Sequence, residues 1–261
     1  MPTVTSKDGT TIGYEKLGNG PPLILVDGAL CSRQFGPSRD LAKHLASDFT
    51  VFFYDRRGRG ESGDTKPYDR AREVEDLAAL IDVAGGKVSL LGLSSGAALA
   101  LEAAASDLPV TRVFAYEPPY VRTGGRDAPA NHQRELERLV AEDRRGDAVK
   151  FFMRDMVHVP GPVVVMMRLM FWMWPKLCAV AHTLPYDAAV MGDFTAPTQR
   201  LAKIQTPVMI GFGGKTTEEL KVAARAVAGA IPGAASHEFA GQNHAIGASA
   251  LVPTAAAFLR A

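Results

Sequence analysis

Five short apolar runs recur along the chain, each of strand length: Pro22-Leu-Ile-Leu-Val26, Thr50-Val-Phe-Phe-Tyr54, Val88-Ser-Leu-Leu-Gly-Leu93, Val110-Thr-Arg-Val-Phe-Ala-Tyr116 and Pro207-Val-Met-Ile-Gly-Phe212. Runs this continuously apolar suit strands buried on both faces of a mostly parallel sheet. Thr10 to Leu17 alternates more, as a half-exposed antiparallel edge strand does, with Asp8-Gly9 as a hairpin turn before it. Ala235 to Phe239 fits a last, partly exposed strand. Between the runs the period lengthens. Glu73 to Val83 sets Val74, Leu77, Leu80 and Ile81 on one helical stripe, and Ser94 to Ala105 is rich in Ala and Leu. Thr216 to Ile231 and Pro253 to Arg260 complete the helices. The pattern predicts a doubly wound α/β fold.

The alternation fails between Tyr120 and about Gln199, where only helical patterns remain: Asn131 to Arg145, Asp147 to Val157, Val163 to Met173 and shorter pieces after Pro175. The expected division is therefore a core of residues 1–119 and 200–261 with an inserted helical lid at 120–199. Seven of the nine Met and both Trp fall between Phe151 and Met191. They are expected to form the insertion's apolar core, a substrate pocket beneath it, or both.

Composition narrows the class. At 261 residues with 47% hydrophobic and 22% charged residues, the chain suits a large globular domain. The net charge of +1, with no Lys/Arg cluster, argues against a nucleic-acid partner. Cys31 and Cys178 are too few for a disulfide framework. The N-terminus lacks a signal-peptide layout, and the most apolar stretch, Val163 to Trp174, is short and interrupted by Arg168. A soluble cytoplasmic protein, without membrane partner, is the expectation, as a monomer or as a homodimer that uses its apolar lid as a contact surface.

The strongest chemical signal is Gly92-Leu93-Ser94-Ser95-Gly96, which follows one apolar run and opens an Ala-rich helix. In that strand–turn–helix context a G-x-S-x-G match is a nucleophile elbow, with Ser94 as nucleophile and the Ser95 N–H as an oxyanion donor. A serine hydroxyl needs a base. Of His182, His237 and His244, only His244 lies in a loop after the last strand and before the final helix. The acid is less regular. Gly213-Gly214-Lys215-Thr216-Thr217, where it usually sits, holds no carboxylate. Glu117, ending the strand expected beside the one that carries Ser94, takes that role, with Glu218 and Asp193 in reserve. The second oxyanion donor is expected in Val26-Asp27-Gly28-Ala29-Leu30, from Ala29 or else Gly28, with Asp27 bracing the loop. Leu30, Met153, Met170, Trp172 and Trp174 are the expected substrate-binding residues. The run Tyr54 to Ser62 reads as a salt-bridged turn, since it lacks the layout of a phosphate loop. No cluster shows metal-ligand spacing, and no cofactor is implied.

These features together resemble the α/β-hydrolase superfamily over nearly the whole chain. Within it the sequence is similar to small soluble serine hydrolases of the zearalenone lactonase type. The carriers are Asp27-Gly28-Ala29, Asp55-Arg56-Arg57-Gly58-Arg59-Gly60-Glu61-Ser62, the Gly92–Gly96 elbow, the insertion and the late His244. The resemblance implies a glutamate acid at the end of the strand after the elbow, here Glu117. It departs at Asp27, where many relatives have His. The expected activity is cofactor-free cleavage of a carboxylic ester or lactone bearing an apolar group, through a Ser-His-Glu triad and an acyl-enzyme. Rival expectations are a carbon–carbon bond hydrolase or perhydrolase with the same triad, or a degenerate ligand-binding protein. An epoxide hydrolase or dehalogenase is disfavoured because it needs an aspartate at position 94.

Overall fold

In the computed structural model, which describes residues 2–122 and 132–261, the apolar runs are strands of one eight-stranded sheet. In chain order the elements begin β1 (Thr3–Thr5), β2 (Thr11–Leu17), β3 (Pro22–Val26), α1 (Ser38–Leu45), β4 (Thr50–Tyr54), α2 (Arg70–Val83) and β5 (Val88–Leu93). They continue with α3 (Ser95–Ala104), β6 (Val110–Tyr116), α4 (His132–Ala141), α5 (Arg145–Phe151), α6 (Gly161–Leu169), α7 (Trp174–Val180), α8 (Leu184–Met191) and α9 (Thr198–Leu201). The chain closes with β7 (Val208–Gly213), α10 (Glu218–Ala230), β8 (Ala235–Phe239) and α11 (Ala248–Arg260). The spatial order is β1-β2-β4-β3-β5-β6-β7-β8. The first two pairings are antiparallel and all others parallel.

Each apolar strand supplies both faces because successive side chains alternate. Ile24, Val26, Phe52, Tyr54, Leu90, Val113 and Ala115 face α2, α3 and α10. Leu23, Leu25, Val51, Phe53, Leu91, Phe114 and Tyr116 face α1 and α11. Burying one such Leu, Ile or Phe contributes roughly 1.5–3 kcal/mol, so the two layers hold the sheet rigid beneath its loops. The α/β-hydrolase fold expected from the sequence is the fold observed.

Between β6 and β7 the described residues form helices, including a π-helical turn at Phe152–Met156 and a 3₁₀ turn at Ala181–Thr183. Asn131, the expected start of the first of these helices, lies outside the described residues; α4 is described from His132. These helices build a third cluster, in which Leu136, Val149, Leu177, Leu184 and Met191 pack with Leu30 from the loop after β3. One expectation is corrected. The apolar stretch from Val163 is not uniformly core: in α6 only Val164 is buried, while Val165, Met166, Leu169 and, just beyond, Phe171 and Trp172 are exposed. That helix touches the cluster along one narrow edge. Among the described residues no single helix is long and apolar enough to cross a membrane.

Candidate active site

The turn after β5 is tight because its glycines allow no alternative. A Cβ on Gly92 would stand 2.5 Å from the Gly96 carbonyl oxygen, and one on Gly96 would stand 2.1 Å from that of Val26. Ser94 between them has φ 54° and ψ −124°. A non-glycine residue held there costs about 1–3 kcal/mol and persists only when its surroundings fix it. The fixing is visible: the Ser94 N–H donates to the Tyr116 carbonyl at 2.9 Å, while its own carbonyl caps the first turn of α3.

Leu93 and Tyr116 are partners in the β5–β6 register, so the residues after them, Ser94 and Glu117, emerge side by side at the carboxyl edge of the sheet. Glu117 also has a positive φ, 48°. Its carboxylate is wholly buried and fully engaged. Oε1 accepts the Gly213 N–H at 2.8 Å; Oε2 accepts the Thr216 hydroxyl at 3.3 Å and the His244 Nδ1–H at 2.6 Å. A charge-assisted bond of that length fixes the tautomer that leaves Nε2 as the basic nitrogen. His244 itself is 41% exposed, so its ring is open to solvent on one side.

The loop carrying His244 is seated on the end of β7. Lys215 N–H donates to the Gln242 carbonyl at 2.7 Å and the Tyr116 hydroxyl to that of Asn243 at 2.7 Å. Burial, and then the adjacent Glu117 charge, raise the pKa of the Tyr116 hydroxyl and keep it a donor. Gly213 lacks a Cβ that would stand 2.4 Å from the Gln242 carbonyl oxygen. Three neighbouring strand ends thus carry the nucleophile candidate, the carboxylate and the seat of the imidazole. The Ser94 hydroxyl makes no hydrogen bond among the described residues. Such contacts commonly tighten only with substrate.

Gly28 lies against the elbow: a Cβ there would come within 3.1 Å of Ser94 Cβ and 3.7 Å of its Oγ. The next residue, Ala29, offers a backbone N–H without a protein acceptor among the described residues. Ser95 opens α3, where the first N–H groups have no intrahelical partner. Ser95 and the loop at Gly28 thus lie on either side of Ser94. Asp27, just before them, is buried, and burial pushes its carboxyl up to about 6, opposed in part by Ser38, Arg59 and Arg56.

Of the expected substrate-binding residues, Leu30 belongs to the apolar cluster of the inserted helices, with Met153 and Trp174 packed against it. Met170 is half-buried at the end of α6 and Trp172 stands largely in solvent. The reserve acids are elsewhere: Glu218 pairs with Lys221, and Asp193 with Arg122, both at the surface. His182 and His237 are likewise apart from Glu117. Among the described residues no group of three or more His, Cys, Asp or Glu side chains converges as metal ligands would.

A set of buried charges beneath the loops goes beyond the salt-bridged turn expected from Tyr54 to Ser62. Arg56, Arg57 and Arg59 are all buried. Arg56 meets Glu73 at 2.6 and 2.7 Å, Arg57 meets Asp76 at 2.8 and 2.7 Å, and Arg56 and Arg59 converge on Asp187 of α8 at 2.7 and 2.6 Å. Burial alone would raise the Asp187 pKa; the two guanidinium groups and the Ser95 hydroxyl outweigh it and hold the carboxyl below its ordinary value. A signal for half of this was in the sequence. Glu73 and Asp76 fall at helical spacing beside Leu77 and Leu80, so the stripe that faces the sheet carries two carboxylates needing partners. Nothing comparable marked Asp187.

Sheet order, elbow and late histidine define a class, and comparison with known proteins gives it a name. Residues 23–259 match the model of the alpha/beta hydrolase family. The chain belongs to the α/β-hydrolase family, and it is a hydrolase. It is similar to an alpha/beta hydrolase from Sphaerobacter thermophilus DSM 20745, at 48% identity and a TM-score of 0.92, covering 98% of this chain and 99% of that one. A thermophilic esterase from Thermogutta terrifontis shares the fold at 21% identity and a TM-score of 0.72, with 99% and 96% covered. A bromoperoxidase from Bacillus anthracis does so at 20% identity and a TM-score of 0.74, over 100% of both chains.

Proposed function

We propose that this hydrolase cleaves a carboxylic ester or lactone carrying an apolar group, with Ser94 as nucleophile, His244 as base and Glu117 as the acid that orients it. The observation that carries the reading is the 2.6 Å bond from His244 Nδ1 to a buried carboxylate, beside a serine in strained backbone. In the first step Ser94 Oγ attacks the carbonyl carbon while His244 Nε2 takes its proton. The resulting oxyanion is received by the N–H groups of Ser95 and Ala29. Collapse expels the alkoxide, which takes the proton from His244, and leaves the acyl group on Ser94. Water, deprotonated by His244, then attacks the ester, and the acid departs as Ser94 regains its proton. Glu117 stays ionised throughout and stabilises the imidazolium that forms twice.

The inserted helices act as the lid of this site in the proposal, and Leu30 with Met153 and Trp174 forms the apolar wall that receives the acyl or ring group. The esterase among the structural relatives is consistent with that choice of substrate at the level of the fold.

A fluorophosphonate probe is expected to label Ser94, and 4-nitrophenyl esters of increasing acyl length to be hydrolysed with a preference for apolar acyl groups. Glu117→Gln keeps the fold but presents Nδ1 with the wrong partner, so kcat is expected to fall by about 10³–10⁴-fold. An unlabelled Ser94, or a Glu117→Gln enzyme of near-normal kcat, would overturn the assignment.

A further inference from the structure

The geometry points to Asp187, on the inserted helix α8, as a positioning residue that sets the orientation of both oxyanion-hole peptides through Arg59 and Ser95. The inference rests on the reading of Ser95 and Ala29 as oxyanion donors.

A trans peptide holds its C=O and N–H on opposite sides. The Gly28 carbonyl accepts Arg59 Nη1–H at 2.7 Å, so the N–H of the same peptide unit, that of Ala29, is turned away from Arg59. Whatever fixes Arg59 therefore fixes the direction of that donor. Besides the bond to Gly28, its two shortest come from the inserted helices: Nη2 donates to Asp187 Oδ2 at 2.6 Å and Nε to Thr183 Oγ1 at 3.0 Å, while Nη1 also reaches the Cys31 carbonyl at 3.3 Å. The other oxygen of the same carboxylate, Oδ1, accepts the Ser95 hydroxyl at 2.7 Å and Arg56 Nη1 at 2.7 Å. Arg56 Nη1 in turn reaches the Asp27 carbonyl at 3.3 Å, so the peptide units on both sides of Gly28 are each held by an arginine. One buried side chain thus grips the first residue of α3 and, through two guanidinium groups, the loop after β3.

This placement is costly for a purely structural brace. Buried ion pairs are commonly matched or exceeded in stability by apolar side chains of similar volume. What apolar packing cannot do is select one rotation of a peptide unit. The planar fork of arginine does so by bonding Asp187 and the Gly28 carbonyl at once, which the single ammonium of lysine does not reproduce. Asp187 and Arg59 are 128 residues apart in the chain, so the hole is shaped only when the inserted helices are docked on the sheet.

The test uses the full chain, with active sites titrated by fluorophosphonate. Arg59→Lys is expected to lower kcat for 4-nitrophenyl butyrate by about 10- to 100-fold with KM within about threefold, since a displaced donor acts on the transition state. The Ki of an aryl trifluoromethyl ketone, which forms a tetrahedral oxyanion on Ser94, should rise by a similar factor. Should Arg59→Lys not fold, Ser95→Ala decides: it keeps the N–H but removes the tie to Asp187, and a fall in kcat of about 3- to 10-fold is expected with the same rise in Ki. Unchanged kcat in a folded variant, or a lower Tm with kcat per titrated site and Ki unmoved, overturns the role of Asp187 while the triad stands. Failure of the unmodified chain to hydrolyse esters or to take the probe removes the triad reading and this inference together.

Discussion

Ser94 sits where glycine would be more comfortable, and the cost of keeping a side chain there is measurable. At φ 54° and ψ −124° the backbone favours a residue without Cβ, so Ser94→Gly should be more stable than Ser94→Ala by about 1–2 kcal/mol while neither hydrolyses esters. Chemical denaturation of the two variants checks this; equal stability would show that the turn is unstrained. Asp27 carries a second residue-scale cost. Burial raises its carboxyl from 3.8 to about 6, so between about pH 4 and 6 the folded chain holds a proton that the unfolded chain has released. Stability from this group is greatest below pH 4 and is lost as pH rises towards 6, a difference of about two in pKa or about 3 kcal/mol. Asp27→Asn is therefore expected to raise Tm by several degrees at pH 8 and to give no gain at pH 4. A lower Tm at pH 8 would mean that Ser38, Arg56 and Arg59 stabilise the ionised form more than burial opposes it.

At the scale of elements, the strands were legible because burial on two faces leaves little room for polar residues, and β3, β4, β5, β6 and β8 begin and end where the pattern predicts. The triad candidates were legible for a related reason: Ser94 and Glu117 directly follow strand ends, and His244 lies in the loop between the last strand and the final helix. What the pattern hid was decided by contacts far away in sequence. The short α1 does carry a stripe, Ser38, Leu41, Ala42 and Leu45 opposite Arg39, Asp40, Lys43 and His44, but at eight residues it is too short to hold alone, and docking on β3, β4 and α11 stabilises it. The final helix starts at Ala248 rather than at Pro253, because Pro253 is exposed on the helix and its missing N–H lies at the edge of solvent. Arginines are normally exposed, so no local rule places Arg56, Arg57 and Arg59 inside. Their partners on α2 make the consequence testable. Arg57→Met would leave Asp76 buried and Asp8 without its cation, and is expected to cost about 3–5 kcal/mol. Arg138→Met in α4, which breaks two bridges in open solvent, should leave Tm unchanged. Thermal unfolding of the two proteins side by side separates the cases.

For the whole molecule the question is whether the inserted helices melt with the sheet or apart from it. At 261 residues a two-state transition is not assured by size. Their attachment, however, includes deeply buried bonds. Asp187 joins α8 to Arg56, Arg59 and Ser95; Tyr186 stacks on Tyr68 with ring centroids 3.9 Å apart; the Tyr68 hydroxyl reaches Glu73 on α2. Opening that joint would break the bonds of Asp187 to Arg56, Arg59 and Ser95 together with the tyrosine stack, and short helices released in this way are marginal on their own. Leu30, fixed by the sheet, is also part of their apolar cluster, so undocking would expose it as well. One calorimetric transition is therefore expected, with calorimetric and van't Hoff enthalpies equal and the proposed ester hydrolysis lost at the same temperature as the sheet's circular dichroism. Two transitions, with activity disappearing in the lower one, would show the insertion to be a separate cooperative unit and its buried charges to be weaker ties than their geometry implies.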